Sequence, residues 1–226
     1  MYTFELSEEE KAIRDTARAF VRDKVIPVAG ELDEKGEFPH DICREAFNLG
    51  LMNVELDPDY GGLGLGVFEN CLINEELAYG CVGVATTVTG NTLAATPIKI
   101  AGNDAQKKEY FGRLTSDLCY ASYATSEPDA GSDVAGLRCR YTRVGDSFVL
   151  NGSKQWITNA GFADVYVVFA KIDGEKFTGF IVERGTPGFS LGAEENKMGL
   201  RGSSTRALIF EDAKVPVENL LGEPGK

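Results

Sequence analysis

Phe148-Val-Leu-Asn-Gly-Ser-Lys-Gln-Trp-Ile-Thr158 decides how this chain is read. Two runs of β-favouring residues flank Asn151-Gly152, a dipeptide that tolerates the positive φ of a two-residue turn, so the stretch predicts a β-hairpin. Val165-Tyr-Val-Val-Phe-Ala170 and Phe177-Thr-Gly-Phe-Ile-Val182 flank Asp173-Gly174 in the same way, and Arg206-Ala-Leu-Ile-Phe210 reads as a further strand. Short strands with regular turns predict a small antiparallel sandwich or barrel.

Toward the N-terminus the period changes from two to 3.6. Ser7 followed by Glu10 predicts a capping box. Ile13, Ala17, Phe20, Val21, Val25 and Val28 then recur on one helical face, with Pro27 expected to end or kink that helix. Further helices are predicted from about Asp41 to Leu49, stopped by Gly50, and over Val67–Tyr79, Val84–Ile100 and Ala105–Leu114. The fold class is therefore α+β multidomain: an all-α domain over 1–115, then an antiparallel β-domain over 116–222.

Lys and Arg total 23 against 35 Asp and Glu, a formal charge of −12, with no basic cluster. That balance excludes nucleic acid and anionic membranes as expected partners. No apolar run approaches the roughly 20 residues of a membrane span. The acidic N-terminus lacks the marks of a signal or transit peptide, so a cytoplasmic location is expected, or the mitochondrial matrix for a processed eukaryotic protein. The five cysteines are odd in number, form no C-x-x-C pair and read as small buried hydrophobes in a reducing compartment. No metal site is expected. His40, the single histidine, reads as a surface or helix-start residue.

Three polar stretches invite chemistry. Gly61-Gly-Leu-Gly-Leu-Gly66 fails as a dinucleotide fingerprint, because Val67 stands at the third glycine position and no strand precedes it. In Tyr123-Ala-Thr-Ser-Glu-Pro-Asp-Ala-Gly-Ser-Asp133, Pro128 and Gly131 force a turn, leaving backbone N–H groups near the hydroxyls of Thr125, Ser126 and Ser132. Such a loop can cradle pyrophosphate or donate to a heteroaromatic edge, or it can be an ordinary turn between domains. Trp156-Ile-Thr-Asn159 offers an indole face and the Thr158 hydroxyl on one side of a strand. It can equally be a core tryptophan beside a turn.

The order of motifs narrows these choices. Leu49-Gly-Leu-Met52, Tyr60-Gly-Gly62, Glu75-Glu-Leu-Ala78 and Gly102-Asn-Asp-Ala-Gln-Lys107 precede the Ser126–Asp133 loop. Leu150-Asn-Gly-Ser-Lys154, Trp156–Asn159, Lys197-Met-Gly-Leu-Arg-Gly-Ser-Ser-Thr-Arg206, Phe210-Glu-Asp212 and Val215-Pro-Val-Glu-Asn219 follow it. The whole chain resembles the acyl-CoA dehydrogenase family, and Cys71–Cys81 most resembles its medium-chain members. The resemblance implies an FAD-dependent oxidoreductase that converts an acyl-CoA thioester to the trans-2-enoyl-CoA. A carboxylate base removes the α-proton, Cβ gives hydride to flavin N5, and electrons leave to electron-transferring flavoprotein.

By the same resemblance, Tyr123, Thr125, Ser126, Gly131 and Ser132 line FAD, with Ser126 where the family more often has Thr. Ser132 also meets the CoA substrate. Trp156 and Ile157 pack at the flavin, and Thr158 donates toward N5. Family members continue into a C-terminal helical domain that supplies the base and the oligomer interface. Leu221-Gly-Glu-Pro-Gly-Lys226 resembles the link to it, with residues 223–226 its start. None of Glu75, Glu76 or Glu127 matches the base position, so no catalytic residue is assigned. The expectation is a truncated form, inactive alone, of an enzyme that is a homo-oligomer at full length. The alternative is a non-catalytic flavin- or CoA-binding protein that needs a separate helical partner.

Overall fold

The computed structural model describes residues 5–172 and 176–225. The helical part opens with α1 (Glu8–Phe20), whose capping box forms as predicted: Glu10 N–H donates to Ser7 Oγ at 3.1 Å, and Ser7 N–H donates to the Glu10 carboxylate at 2.6 Å. Pro27 does not stop the helix. A π-turn over Val21–Val25 leads directly into α2 (Ile26–Lys35). That turn places Pro27 in the first turn of α2, where a missing N–H costs nothing. Gly36, at φ 64°, ends α2 instead.

α3 (His40–Asn48) starts on the exposed His40, whose ring lies edge-on to Phe38 at 4.8 Å. The glycine run folds back on residues 54–56: Gly64 N–H donates to the Leu56 carbonyl and Leu65 N–H to that of Val54. A Cβ on Gly62 would stand 2.1 Å from the Leu56 oxygen, which explains that glycine without any ligand. α4 (Val67–Gly80) packs Leu72, Ile73 and Leu77 into the core with Ala17, Phe20, Val21 and Val25. Arg18 donates twice to the Glu76 carboxylate, at 3.1 and 2.6 Å.

α5 (Val82–Ala101) is rich in β-branched residues and still helical. Its Thr86, Thr87, Thr89 and Thr96 hydroxyls donate to carbonyls four residues back, satisfying groups that otherwise compete with helix. α6 (Asp104–Ser116) is capped by Asn103 and Gln106. Two compact units divide the chain: 1–89 with 197–203, and 90–196 with 204–226.

The second unit holds a sheet of eight strands among the described residues: β1 (Ala121–Ala124), β2 (Arg140–Val144), β3 (Ser147–Thr158), β4 (Val165–Ile172), β5 (Lys176–Glu183), β6 (Phe189–Glu194), β7 (Thr205–Pro216) and β8 (Leu220–Leu221). The pairing path is β6-β7-β3-β2-β4-β5-β8, with β1 beside β4. Pairing is antiparallel except for β1 with β4 and a single β2–β4 pair. A helical part followed by a mostly antiparallel β part is thus the observed fold class. Tyr141, Phe148 and Phe180 pack edge to face at its centre.

Asn151-Gly152 is not a hairpin. It lies within the continuous strand β3, at a bulge where the register against β7 slips between Leu150 and Gly152. Asn151 spans the bulge, accepting from Asp212 N–H at 2.9 Å. The hairpin turn is Gly145-Asp146, which joins β2 to β3 with Gly145 at φ 60°. β4 and β5 pair antiparallel up to Ile172 with Lys176, and the Asp173-Gly174 turn itself lies outside the described residues. The cysteines divide: Cys43 and Cys139 are buried, Cys81 and Cys119 half-buried, and Cys71 is exposed, contrary to the expectation for all five.

Candidate functional site

Two of the three polar stretches, Tyr123–Asp133 and Trp156–Asn159, meet in the second unit. Tyr123 belongs to strand β1, not to a loop, in register with Val167. β1 is pinned from α5, where the Asn91 side chain accepts from Ala121 N–H at 2.7 Å and donates to the Cys119 carbonyl at 2.8 Å. On the other side the buried Ser122 hydroxyl donates to the Thr158 carbonyl at 2.7 Å. The start of the Thr125–Leu137 loop and the end of β3 therefore lie side by side. Gln155 N–H donating to the Ser126 carbonyl at 2.9 Å continues that contact.

Glu127 organises the loop. Its carboxylate is 5% exposed and accepts from Arg138 N–H at 2.6 Å, Cys139 N–H at 3.0 Å and Lys154 Nζ at 2.7 Å. Lys154 is fully buried and donates also to the Thr125 carbonyl at 3.0 Å. Glu127 and Ala130 exchange backbone hydrogen bonds, and beyond them Gly131 and Ser132 project into solvent. Burial beside this pair pushes the Cys139 thiol up to about 11, so it is no nucleophile near neutral pH.

The predicted residues fall into two groups. Ser132, Gly131, Tyr123 and Trp156 are exposed, while Ser126 and Thr158 are half-buried. Ile157 is 2% exposed and belongs to the core. The Thr125 hydroxyl is buried without a hydrogen-bond partner, an expensive condition unless something else satisfies it. Trp156 sits at φ 58° where the register slips between Lys154 and Ile157. A bulky residue in that region costs about 1–3 kcal/mol, and such strain concentrates at functional positions. The bulge turns the indole outward, 58% exposed.

Sequence reasoning missed two supports. Asn91 sits in an apolar helix with nothing local to mark it, and Lys154 reads as an ordinary strand lysine. Only its alternation with the buried Leu150 could have placed Lys154 inside. Beside Tyr123 an apolar cleft of about 430 Å³ is lined by Leu93, Pro97, Ile100, Phe169 and Leu221. No helix among the described residues is long and apolar enough to cross a membrane.

A helical domain joined to a β-domain with this loop-and-bulge site defines a class that two family models describe: acyl-CoA dehydrogenase N-terminal domain over residues 7–117 and middle domain over 122–213. The chain belongs to the acyl-CoA dehydrogenase family. It is 44% identical to a probable medium-chain specific acyl-CoA dehydrogenase, mitochondrial, of Caenorhabditis briggsae, across 99% of this chain and 56% of that protein. Butyryl-CoA dehydrogenase from Megasphaera elsdenii superposes with TM-score 0.94 at 38% identity, covering all of this chain and 61% of the other. Acyl-CoA dehydrogenase complexed with FAD from Bacillus anthracis gives 0.92 at 43% identity, covering all of this chain and 39% of the other. The chain spans about half the length of the relatives it matches.

Proposed function

We propose that the loop over Tyr123–Ser132 and the bulge over Trp156–Thr158 form one side of an FAD site in an enzyme that oxidises acyl-CoA to trans-2-enoyl-CoA. The observation that carries this reading is the buried, unpartnered Thr125 hydroxyl in a loop joined, through the Gln155 N–H to Ser126 carbonyl bond, to the strand that turns Trp156 outward. One wants a polar partner and the other offers a flat face, as a flavin ring provides both. The Bacillus anthracis relative, solved with FAD, supports the choice of cofactor.

When bound, the flavin supplies the redox chemistry by accepting hydride from the substrate's Cβ. The chain's own residues bind and orient. Thr125 and Ser126 donate to the ring's polar edge, Trp156 covers a face and shields it from water, and Thr158 adds a hydroxyl. The exposed N–H groups and hydroxyl of Gly131-Ser132 meet phosphate, with Ser132 also reaching the CoA substrate. Electrons leave to electron-transferring flavoprotein, and the enzyme assembles as a homo-oligomer.

The α-proton needs a free carboxylate. Glu127 is engaged by three donors and Glu76 by Arg18, so neither serves. No carboxylate of this chain is assigned as that base, and the chain by itself is expected to bind flavin weakly and without turnover. Trp156 is the single tryptophan, so its emission reports the site. Titration with FAD is expected to quench it, and unchanged emission counts against the flavin reading. Anaerobic addition of a medium-chain acyl-CoA is expected to leave the bound flavin band intact, and bleaching at turnover rates contradicts the assignment of inactivity.

A further inference from the structure

The loop that carries Gly131 and Ser132 leaves β1 after Ala124 and enters β2 at Arg140, and one buried carboxylate ties its outgoing and returning ends. Glu127 belongs to the outgoing end, and its oxygens accept the N–H groups of Arg138 and Cys139 on the returning end. Lys154, fully buried on β3, bonds that carboxylate and the carbonyl of Thr125, one residue before Ser126. A second buried lysine, Lys171, donates to the Ala135 carbonyl farther along the loop. The returning end has no room to drift, since a Cβ on Gly152 would stand 2.8 Å from the Cys139 Cα.

Buried ion pairs are poor stabilisers. Apolar pairs of equal volume are often as good or better, because desolvating two charges offsets most of their attraction. What the ion pair supplies and an apolar pair cannot is direction: a carboxylate aimed at two amides and an ammonium aimed at one carbonyl. We infer that Glu127 and Lys154 are positioning residues that hold the Thr125–Leu137 loop in its ligand-ready shape, so that flavin binding need not order it. This rests on the flavin reading of the same site. Preorganisation of a loop appears in affinity, because its ordering cost is met before the ligand arrives.

The test uses the whole chain with Glu127→Gln, Lys154→Met and the double change Glu127→Leu/Lys154→Met. Three quantities are measured: FAD affinity from quenching of Trp156, amide hydrogen exchange over residues 128–139, and the thermal midpoint. The single variants leave one buried group uncompensated, and they are expected to weaken FAD by about tenfold or more and to speed exchange in the loop. The double variant guards against misfolding. It removes both buried charges but leaves the Arg138 and Cys139 N–H groups without their acceptor, so it is expected to fold with a midpoint above the single variants and below the wild type, while keeping weak FAD binding and a fast-exchanging loop. Wild-type affinity and wild-type exchange in the double variant would show the pair to be merely structural and overturn the inference. If the wild-type chain shows no quenching by FAD, the flavin reading fails separately. Loop exchange in the folded double variant then decides whether the pair positions the loop.

Discussion

A Cβ placed on Gly90 would stand 2.6 Å from Nδ2 of Asn159, so α5 passes the turn after β3 at a distance only glycine allows. Asn159 is fully buried at φ 60°, with its backbone N–H donating to the Ser204 carbonyl at 2.8 Å, and that burial leaves its side-chain amide little room to give way. Gly90→Ala sets two effects against each other. Alanine gains about 0.5–1 kcal/mol of helix propensity, while overpacking a fixed neighbour costs about 1–3 kcal/mol. The steric cost wins, and a net loss of about 1–2 kcal/mol is expected in denaturant unfolding. Gly112→Ala in α6 is the control, since a Cβ there meets nothing within 4 Å. That variant is expected to gain stability by about 0.5–1 kcal/mol.

The Gly152 bulge gives a sharper case. Its φ of 138° is open to glycine, and an added Cβ meets Cys139 backbone at 2.8 Å. Gly152→Ala is expected to cost at least about 2 kcal/mol, since backbone strain and overpacking add. Because Cys139 ends the Glu127 loop, the same variant is expected to speed amide exchange at Arg138 and Cys139. An unchanged unfolding midpoint would show that the bulge relaxes freely.

That bulge also shows where the sequence misleads. Asn-Gly marks a place where the chain needs unusual φ, and both a turn and a bulge meet that need. The distinction lies in β7, which is long enough to pair with all of Ser147–Thr158 and is far away in sequence. The real turn at Gly145 stayed hidden because β2 buries one residue in five and shows no alternation. Four helices, α3 to α6, were legible to within two residues because their periodicity is local, but α2 was not, since Pro27 reads as a stop and the π-turn that carries the chain past it has no local mark. Asn91 and Lys154 were not, because their roles depend on partners about 30 residues away.

Alkaline pH is expected to destabilise the fold. Burial pushes the Cys139 thiol up to about 11 and the Tyr166 hydroxyl up to about 12, while burial followed by the Asp164 carboxylate pushes Cys119 up to about 11. Each is an acid whose folded pKa lies above its unfolded value. The stability it contributes is complete below the unfolded pKa, near 9 for the thiols, and is lost as pH rises toward the folded one. The thermal midpoint is expected to fall between pH 9 and 11, less steeply in Cys139→Ala. A midpoint that is flat or rising across that range contradicts the account. At pH 8 a thiol reagent is expected to label the exposed Cys71 quickly, and Cys43 and Cys139 only on unfolding.

Thr125→Val separates folding from binding at one atom. In the free chain the Thr125 hydroxyl is buried without a partner, a condition that costs about 1–3 kcal/mol. Valine has nearly the same shape and no polar group, so the free variant is expected to be as stable as the wild type or more so. If that hydroxyl waits for the flavin, the same change removes a hydrogen bond from the complex and weakens FAD by roughly three- to tenfold. Stability and affinity are then expected to move in opposite directions. A general packing defect would lower both, so a variant that loses stability and affinity together argues that Thr125 is core. One that gains stability at unchanged affinity argues that the flavin edge is met elsewhere, with the half-buried Ser126 the next hydroxyl to test.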